Sequence, residues 1–213
     1  MFSLIAVTYF ALESESDYKW PLTIYLFGLC LCNHPSSLAL APAIIYRFFS
    51  EGEYRRVSRF PLYAGLLAIA GTMYFYLWVR SIHDPIYDWG NPEGPSALWQ
   101  HMSLKQYSGW VHNSWDNLLF AGQLYVRSVL ECWSWPGLFL IVTGTVFGFK
   151  LHFARTISAL LMLATALFMA SFHQAVNHEP FFLPPLFASL LLISINIEAL
   201  RHKASLRSVA SWA

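Results

Sequence analysis

Residues 60–79 read FPLYAGLLAIAGTMYFYLWV and carry no charged side chain between Arg59 and Arg80. A bilayer hydrocarbon core about 30 Å thick is crossed by about 20 apolar residues of α-helix. An apolar run of this length is typical of a transmembrane helix and not of a helix in a water-soluble domain. The stretch therefore predicts one membrane-spanning helix with an arginine at each end.

Other hydrophobic segments of similar character lie on both sides of this run. The predicted segments are residues 1–12, 20–33, 36–49, 60–79, 136–149, 156–172 and 181–200. Residues 1–12 are about half a span long and lack the basic flank and cleavage pattern of a signal peptide, which predicts part of a longer helix. We expect a single all-α polytopic membrane domain over residues 1–213, with about seven hydrophobic helices and a long loop at 80–135.

The overall composition agrees with a protein that has lipid as its main solvent. Of the 213 residues, 12% are charged and 56% are apolar, whereas about a quarter of an ordinary soluble chain is charged. The net charge is only +1, and the sequence has no clustered basic face of the kind that nucleic-acid binding requires. Nucleic acids are therefore excluded as partners. No histidine pair has metal-ligand spacing, so the sequence predicts neither a metal site nor a cofactor.

Lysine and arginine are distributed unevenly among the connecting segments, and this bias predicts the orientation in the membrane. Residues 47–59 hold four arginines, residues 150–155 hold two cations, and the tail after Leu200 holds three. Residues 80–135 hold only Arg80, Lys105 and Arg127. We therefore expect the first three segments on the cytoplasmic side and loop 80–135 on the opposite side.

The uncharged run from Trp20 to Phe49 is too long for one perpendicular span and is interrupted by Asn33-His34-Pro35-Ser36-Ser37. It is either one long helix kinked at Pro35 or a hairpin of two short helices with His34 at its tip, and the hairpin is favoured. Ser36 and Ser37 are predicted to cap the second helix, and Ser36 to be reachable from the outer side. His34 either lines a ligand cavity or only bonds a carbonyl that Pro35 leaves without a donor.

Loop 80–135 is rich in aromatic and turn-forming residues, with HDPIYDWGNPEGP at residues 83–95. Such a segment forms an ordered platform, which is either an active site facing the outer leaflet or a plain lid. Farther on, an interfacial helix is predicted. Its apolar face comprises Trp115, Leu118, Leu119, Val126, Val129, Leu130 and Trp133, and Asp116, Gln123, Arg127 and Glu131 lie opposite.

Four stretches resemble a family of polytopic bacterial membrane proteins related to eukaryotic protein O-mannosyltransferases. Their order and spacing match that family over most of residues 20–190, and the Trp-Gly-Asn-Pro element is the most specific. The stretches are FGLCLCNH at 27–34 leading to Leu40-Ala41-Pro42, YLWVR at 76–80, DWGNP at 88–92 followed by Lys105-Gln106-Tyr107, and FFLP at 181–184.

The resemblance implies a GT-C type glycosyltransferase bundle in the bacterial inner membrane. It implies a polyprenyl-phosphate-linked sugar donor bound at the outer leaflet among membrane lipids. Arg80 is the expected phosphate contact, Trp89 a sugar-stacking or lid residue beside Asp88, and His34 a cavity residue. The acceptor and the catalytic residues are unassigned.

The family carries an acidic residue, the expected catalytic base, in a first outer loop that has no counterpart here, since residues 1–12 resemble a later helix. We therefore expect an N-terminally truncated form that binds the donor without transferring its sugar. The alternative is a non-catalytic membrane carrier or scaffold.

Overall fold

The computed structural model describes residues 2–84, 86, 91–103, 105, 115–172 and 179–210. Within these ranges the regular structure is entirely helical, and each predicted hydrophobic segment lies mainly in helix. The helices are α1 (Phe2–Leu12), α2 (Lys19–Asn33), α3 (Ala41–Ser50), α4 (Phe60–Ser81), α5 (Pro95–Met102), α6 (Trp115–Leu151), α7 (Phe153–Phe172) and α8 (Glu179–Ala210), with short 3₁₀ helices at Pro35–Leu40, Glu53–Arg55 and Val57–Arg59.

Four helical stretches among the described residues are long and apolar enough to cross a bilayer. They are Val57–Ser81, Trp115–Leu151, Phe153–Ser171 and Leu183–Arg201. By length and composition, these stretches indicate an integral membrane protein.

The segment from Trp20 to Phe49 is a hairpin. Lys19 Nζ at the start of α2 lies 2.6 Å from Glu51 Oε1 just beyond the end of α3, and the rings of Trp20 and Phe48 pack with centroids 5.1 Å apart. A single continuous helix would separate Lys19 and Glu51 by roughly 48 Å. The chain therefore turns back at Asn33–Leu40, and the kinked-helix alternative is wrong.

Arginine side chains connect the helix ends on one side of the bundle through hydrogen bonds and ion pairs. We call this side the Arg-rich end. Arg47 Nη2 donates to the carbonyl oxygen of Leu12 at 3.3 Å, and Arg155 pairs with Glu13 at 2.7 Å and with Glu198 at 2.9 Å. These contacts join α1, α3, α7 and α8. The hairpin tip and the end of α4 lie at the other side of the bundle, which we call the opposite end.

Cysteines introduced at Ser50 and Asn91 are expected to react with a membrane-impermeant maleimide from opposite sides of the membrane. Both positions are exposed, and Ser50 ends α3 at the Arg-rich end whereas Asn91 contacts Ser81 at the end of α4. The measurement uses sealed vesicles of either orientation, with the exposed Cys132 replaced by serine. Labelling of both positions from one side would contradict this topology.

Helix α6 is sharply bent at Ser134, where φ is 57° and ψ is −169°. Tyr125 bonds Ser189 at 2.6 Å, and Gly144 lies against Leu192, only three positions farther along α8. A straight helix would hold residues 125 and 144 about 28 Å apart. The two halves of α6 therefore fold back toward the same part of α8.

The first half of α6 buries a different face from the predicted one. Ala121, Tyr125 and Val129 are buried against the bundle, and Trp115, Leu119 and Val126 are exposed. Only Val129 belongs to both sets. Three of the seven residues of the predicted apolar face are exposed and three are half-buried. The buried face adjoins the predicted one, and there Tyr125 contacts Ser189 of α8.

The second half of α6 approaches α8 very closely at Gly144 and α7 very closely at Gly148. A Cβ at Gly144 would lie 2.0 Å from the carbonyl oxygen of Leu192, and one at Gly148 would lie 2.1 Å from Thr156 Oγ1. Small residues four apart allow such close backbone packing between membrane helices. Asn196 adds a hydrogen bond from its Nδ2 to the carbonyl oxygen of Leu140 at 3.2 Å.

Helix α4 lies at the edge of the bundle and packs mainly on α2. A Cβ at Gly28 of α2 would lie 2.7 Å from Ala70 Cβ, and Tyr74 OH donates to the carbonyl oxygen of Leu31 at 3.4 Å. Most other side chains of α4 are exposed. The two helices run in the same direction, so their final residues reach the same end of the molecule.

Candidate functional site

The hairpin tip is built around His34. Its backbone is extended, with φ −152° and ψ 129°, which ends α2. Its Nδ1 accepts a hydrogen bond from the Ser36 N–H at 3.1 Å and lies 2.8 Å from Ser36 Oγ. The imidazole therefore caps the 3₁₀ helix Pro35–Leu40. The predicted cap by the hydroxyls of Ser36 and Ser37 is wrong, because the ring occupies that role.

Other side chains satisfy the carbonyl oxygens at the end of α2. Pro35 has no N–H to bond the carbonyl of Leu31, and Tyr74 OH from α4 donates to that oxygen at 3.4 Å. Ser37 Oγ donates to the carbonyl oxygen of Cys30 at 3.1 Å. The Leu31 carbonyl oxygen, which Pro35 cannot bond, therefore accepts a hydrogen bond from Tyr74 OH. The His34 Nδ1 instead accepts the Ser36 N–H and caps the 3₁₀ helix.

The serines of the tip are buried inside the bundle. Ser36 and Ser37 are 7% and 6% exposed, because the 3₁₀ helix packs between α2, α7 and α8. The expectation that Ser36 is reachable from the outer side is therefore wrong. Non-helical backbone at membrane depth is tolerated where protein buries it, as it does here.

Arg80 lies at the same end as His34. It is exposed in the last turn of α4, where a cation interacts favourably with the negative end of the helix dipole. Since Tyr74 of α4 is level with Leu31 of α2, the parallel helices place Arg80 about one turn beyond the level of His34.

The segment after α4 is fastened to the end of that helix. Ser81 Oγ donates to Asn91 Oδ1 at 3.2 Å, and Trp78 Nε1 donates to the carbonyl oxygen of Glu93 at 2.8 Å. Asn91 has a positive φ of 44°, as in a tight turn. Asp88 and Trp89, the other two predicted binding residues, lie outside the described residues.

Comparison of the chain with protein families, with curated proteins and with solved structures finds no match.

The Arg-rich end holds a second polar region, which sequence reasoning did not single out. A cavity of about 790 Å³ opens there. Three groups of ion pairs line it: Arg155 with Glu13; Lys19 and Arg47 with Glu51; and Arg56 and Arg59 with Glu53. Glu53 is 4% exposed and also accepts a hydrogen bond from Tyr63 OH.

These pairs were missed because the cations of this end were used only to predict orientation. The signal was available in part: once the hairpin is favoured, Glu13 and Arg155 are both expected on the cytoplasmic side. The pairing itself joins residues 142 positions apart, and no local pattern predicts such a contact.

Proposed function

We propose that this chain is part of a glycosyltransferase-like membrane protein related to protein O-mannosyltransferases, and that it binds a polyprenyl-phosphate-linked sugar at its opposite end. The observation that supports this is the parallel packing of α2 on α4, which brings His34 and Arg80 to one end beside the fastened segment at Asn91. We further propose a GT-C-like bundle in a bacterial inner membrane, with seven hydrophobic helices if α1, α2 and α3 are counted.

The chemistry of these residues suits an anionic lipid-linked sugar. The Arg80 guanidinium offers a planar set of donors for phosphate oxygens. In the proposal Trp89 stacks on the sugar, Asp88 contacts a sugar hydroxyl, and His34 lines the inner wall. We assign no catalytic base and no acceptor.

Arg80→Ala is expected to weaken binding of a polyprenyl-phosphate-linked hexose by about tenfold, because a hydrogen bond to a charged group contributes about 1.5–3 kcal/mol. The measurement is equilibrium binding of the radiolabelled lipid to the purified chain in nanodiscs.

Arg127→Ala is the matched control for this experiment. It also removes one arginine, whose side chain is 72% exposed and pairs only with the neighbouring Glu131 among the described residues. Unchanged binding by Arg80→Ala, or an equal loss in both variants, would contradict the proposed phosphate contact.

The alternative of a non-catalytic carrier gains support from one observation, the cavity of about 790 Å³ at the Arg-rich end. A carrier needs a polar cavity that opens to one side of the membrane, whereas a transferase with an outer-leaflet site does not use one there. An efflux assay in proteoliposomes, run beside the donor-binding assay, separates the two functions: donor binding that depends on Arg80, without efflux, supports the glycosyltransferase-like protein, and efflux without such binding supports the carrier.

A further inference from the structure

The connection between α3 and α4 separates its side chains into an inner and an outer set. Gly52, with φ 72°, ends α3 in the left-handed conformation. Glu53 then turns inward to Arg59, at 3.2 Å, and to Tyr63. The outer set comprises Phe49, Tyr54, Arg55, Arg56, Val57 and Phe60, all exposed, and we call it the Arg55 surface. Arg56 lies at its edge and also borders the cavity of the Arg-rich end.

The cations of the Arg55 surface are incompletely neutralised. Arg55 has no carboxylate within ion-pair distance among the described residues, and its Nε donates to Tyr54 OH at 3.1 Å. Arg56 is 58% exposed and shares the Glu53 carboxylate with Arg59, at the longer distance of 3.4 Å. The surface is therefore a site of net positive charge.

The apolar part of this surface lies where α4 leaves the lipid. Apart from its contact with α2, α4 is largely exposed along its length, so lipid covers it in a membrane. The rings of Tyr54 and Phe49 pack 5.4 Å apart, and Arg55 lies 5.5 Å from the Tyr54 ring centroid. Aromatic rings and arginines together are typical of the headgroup level of a bilayer.

We propose that the Arg55 surface binds the phosphate of an anionic phospholipid in the leaflet at the Arg-rich end. Arg55 and Arg56 contact the headgroup, and Phe49, Val57 and Phe60 contact the upper acyl chains. An acidic protein segment would satisfy the charges but would leave the exposed apolar side chains next to α4 without a partner. An anionic phospholipid matches both the positive charge and the apolar side chains of this surface.

The test is competition between phosphatidylglycerol and phosphatidylcholine of identical acyl chains, measured by native mass spectrometry of the purified chain. The wild type is expected to retain phosphatidylglycerol about tenfold more than phosphatidylcholine, since arginines at the membrane surface attract anionic headgroups. The double variant Arg55→Gln with Arg56→Gln is expected to lose this preference. Arg55→Lys with Arg56→Lys is expected to keep most of it.

Two control variants each remove one arginine that lies outside the Arg55 surface. Arg201→Gln acts at the same end on α8, and Arg127→Gln acts on the first half of α6; both residues are exposed. Neither is expected to change the preference. An unchanged preference in the double glutamine variant, or an equal loss in Arg201→Gln, would overturn the proposal.

A salt titration of the wild type keeps the proposal testable if the double variant does not fold. At about 0.5 M salt, exposed charges are strongly screened, and the preference for phosphatidylglycerol is expected to fall at least fivefold. A preference that persists in high salt would show that the acyl chains alone select the lipid and would overturn the proposed phosphate contact.

Discussion

Gly144→Ala is expected to destabilise the protein by about 3 kcal/mol, near the upper range for inserting a methyl group into a close-packed contact. The new Cβ would lie 2.0 Å from the carbonyl oxygen and 2.8 Å from the carbonyl carbon of Leu192. Both are backbone atoms of a helix, so no side-chain rotation relieves the clash. The helices must separate, and the hydrogen bond from Asn196 to the carbonyl oxygen of Leu140 is lost with them.

Gly65→Ala on α4 is the matched control, because a Cβ there meets nothing within 4 Å. Alanine is favoured over glycine in a helix by up to about 1 kcal/mol, so this variant is expected to be neutral or more stable. The measurement is thermal unfolding of both variants in the same detergent, followed by tryptophan fluorescence. Equal unfolding temperatures would show that α6 and α8 are not in close contact at Gly144.

Arg155→Met is expected to destabilise the bundle by about 2 kcal/mol, between the values for exposed and buried ion pairs. Arg155 is 19% exposed and reaches Glu13 Oε2 at 2.7 Å and Glu198 Oε2 at 2.9 Å. Its removal leaves the half-buried Glu13 without that cation and leaves the more exposed Glu198 with only His152 as an ion-pair partner among the described residues. The free energy of unfolding in detergent tests this expectation.

Arg127→Met provides the comparison for Arg155, since its pair with Glu131 is 72% and 60% exposed and is expected to contribute less than about 0.5 kcal/mol. Adding Glu13→Gln and Glu198→Gln to Arg155→Met is expected to restore part of the lost stability, because both carboxylates that paired with Arg155 are then neutral. If the triple variant is no more stable than Arg155→Met, the loss comes from packing and not from charge.

Several helix bounds were predictable because charges mark them locally. The predicted segment 60–79 lies within α4, Phe60–Ser81, since Arg59 and Arg80 flank the apolar run. The interruption at His34 was equally local, because Pro35 cannot complete the hydrogen-bond pattern of a helix. The choice between kink and hairpin was not local, and it is decided by the contact of Lys19 with Glu51.

The packing of the first half of α6 could not be predicted from periodicity. Its charged side chains cover one face only, and two adjoining faces are apolar, so periodicity does not distinguish the bundle side from the lipid side. Tyr125 decides it through its contact with Ser189, a residue 64 positions away.

The candidate site was predictable to a similar extent. His34 and Arg80 lie at the same end as expected, because each ends a helix that starts at the Arg-rich end. The cap that His34 makes was not foreseen, since serine is the more usual capping residue and the ring accepts the Ser36 N–H in its place. Trp89 and Asp88 stay predictions.

The short hairpin has a consequence for how the protein is assembled during synthesis. Helices α2 and α3 have 15 and 10 residues, fewer than the roughly 20 that the insertion machinery accepts as an independent span. They must enter the bilayer as a pair, with a 3₁₀ tip whose cover comes from α7 and α8. That cover does not exist until the last third of the chain has left the ribosome. We therefore expect the packing of the hairpin tip to be completed only after α7 and α8 have been synthesised.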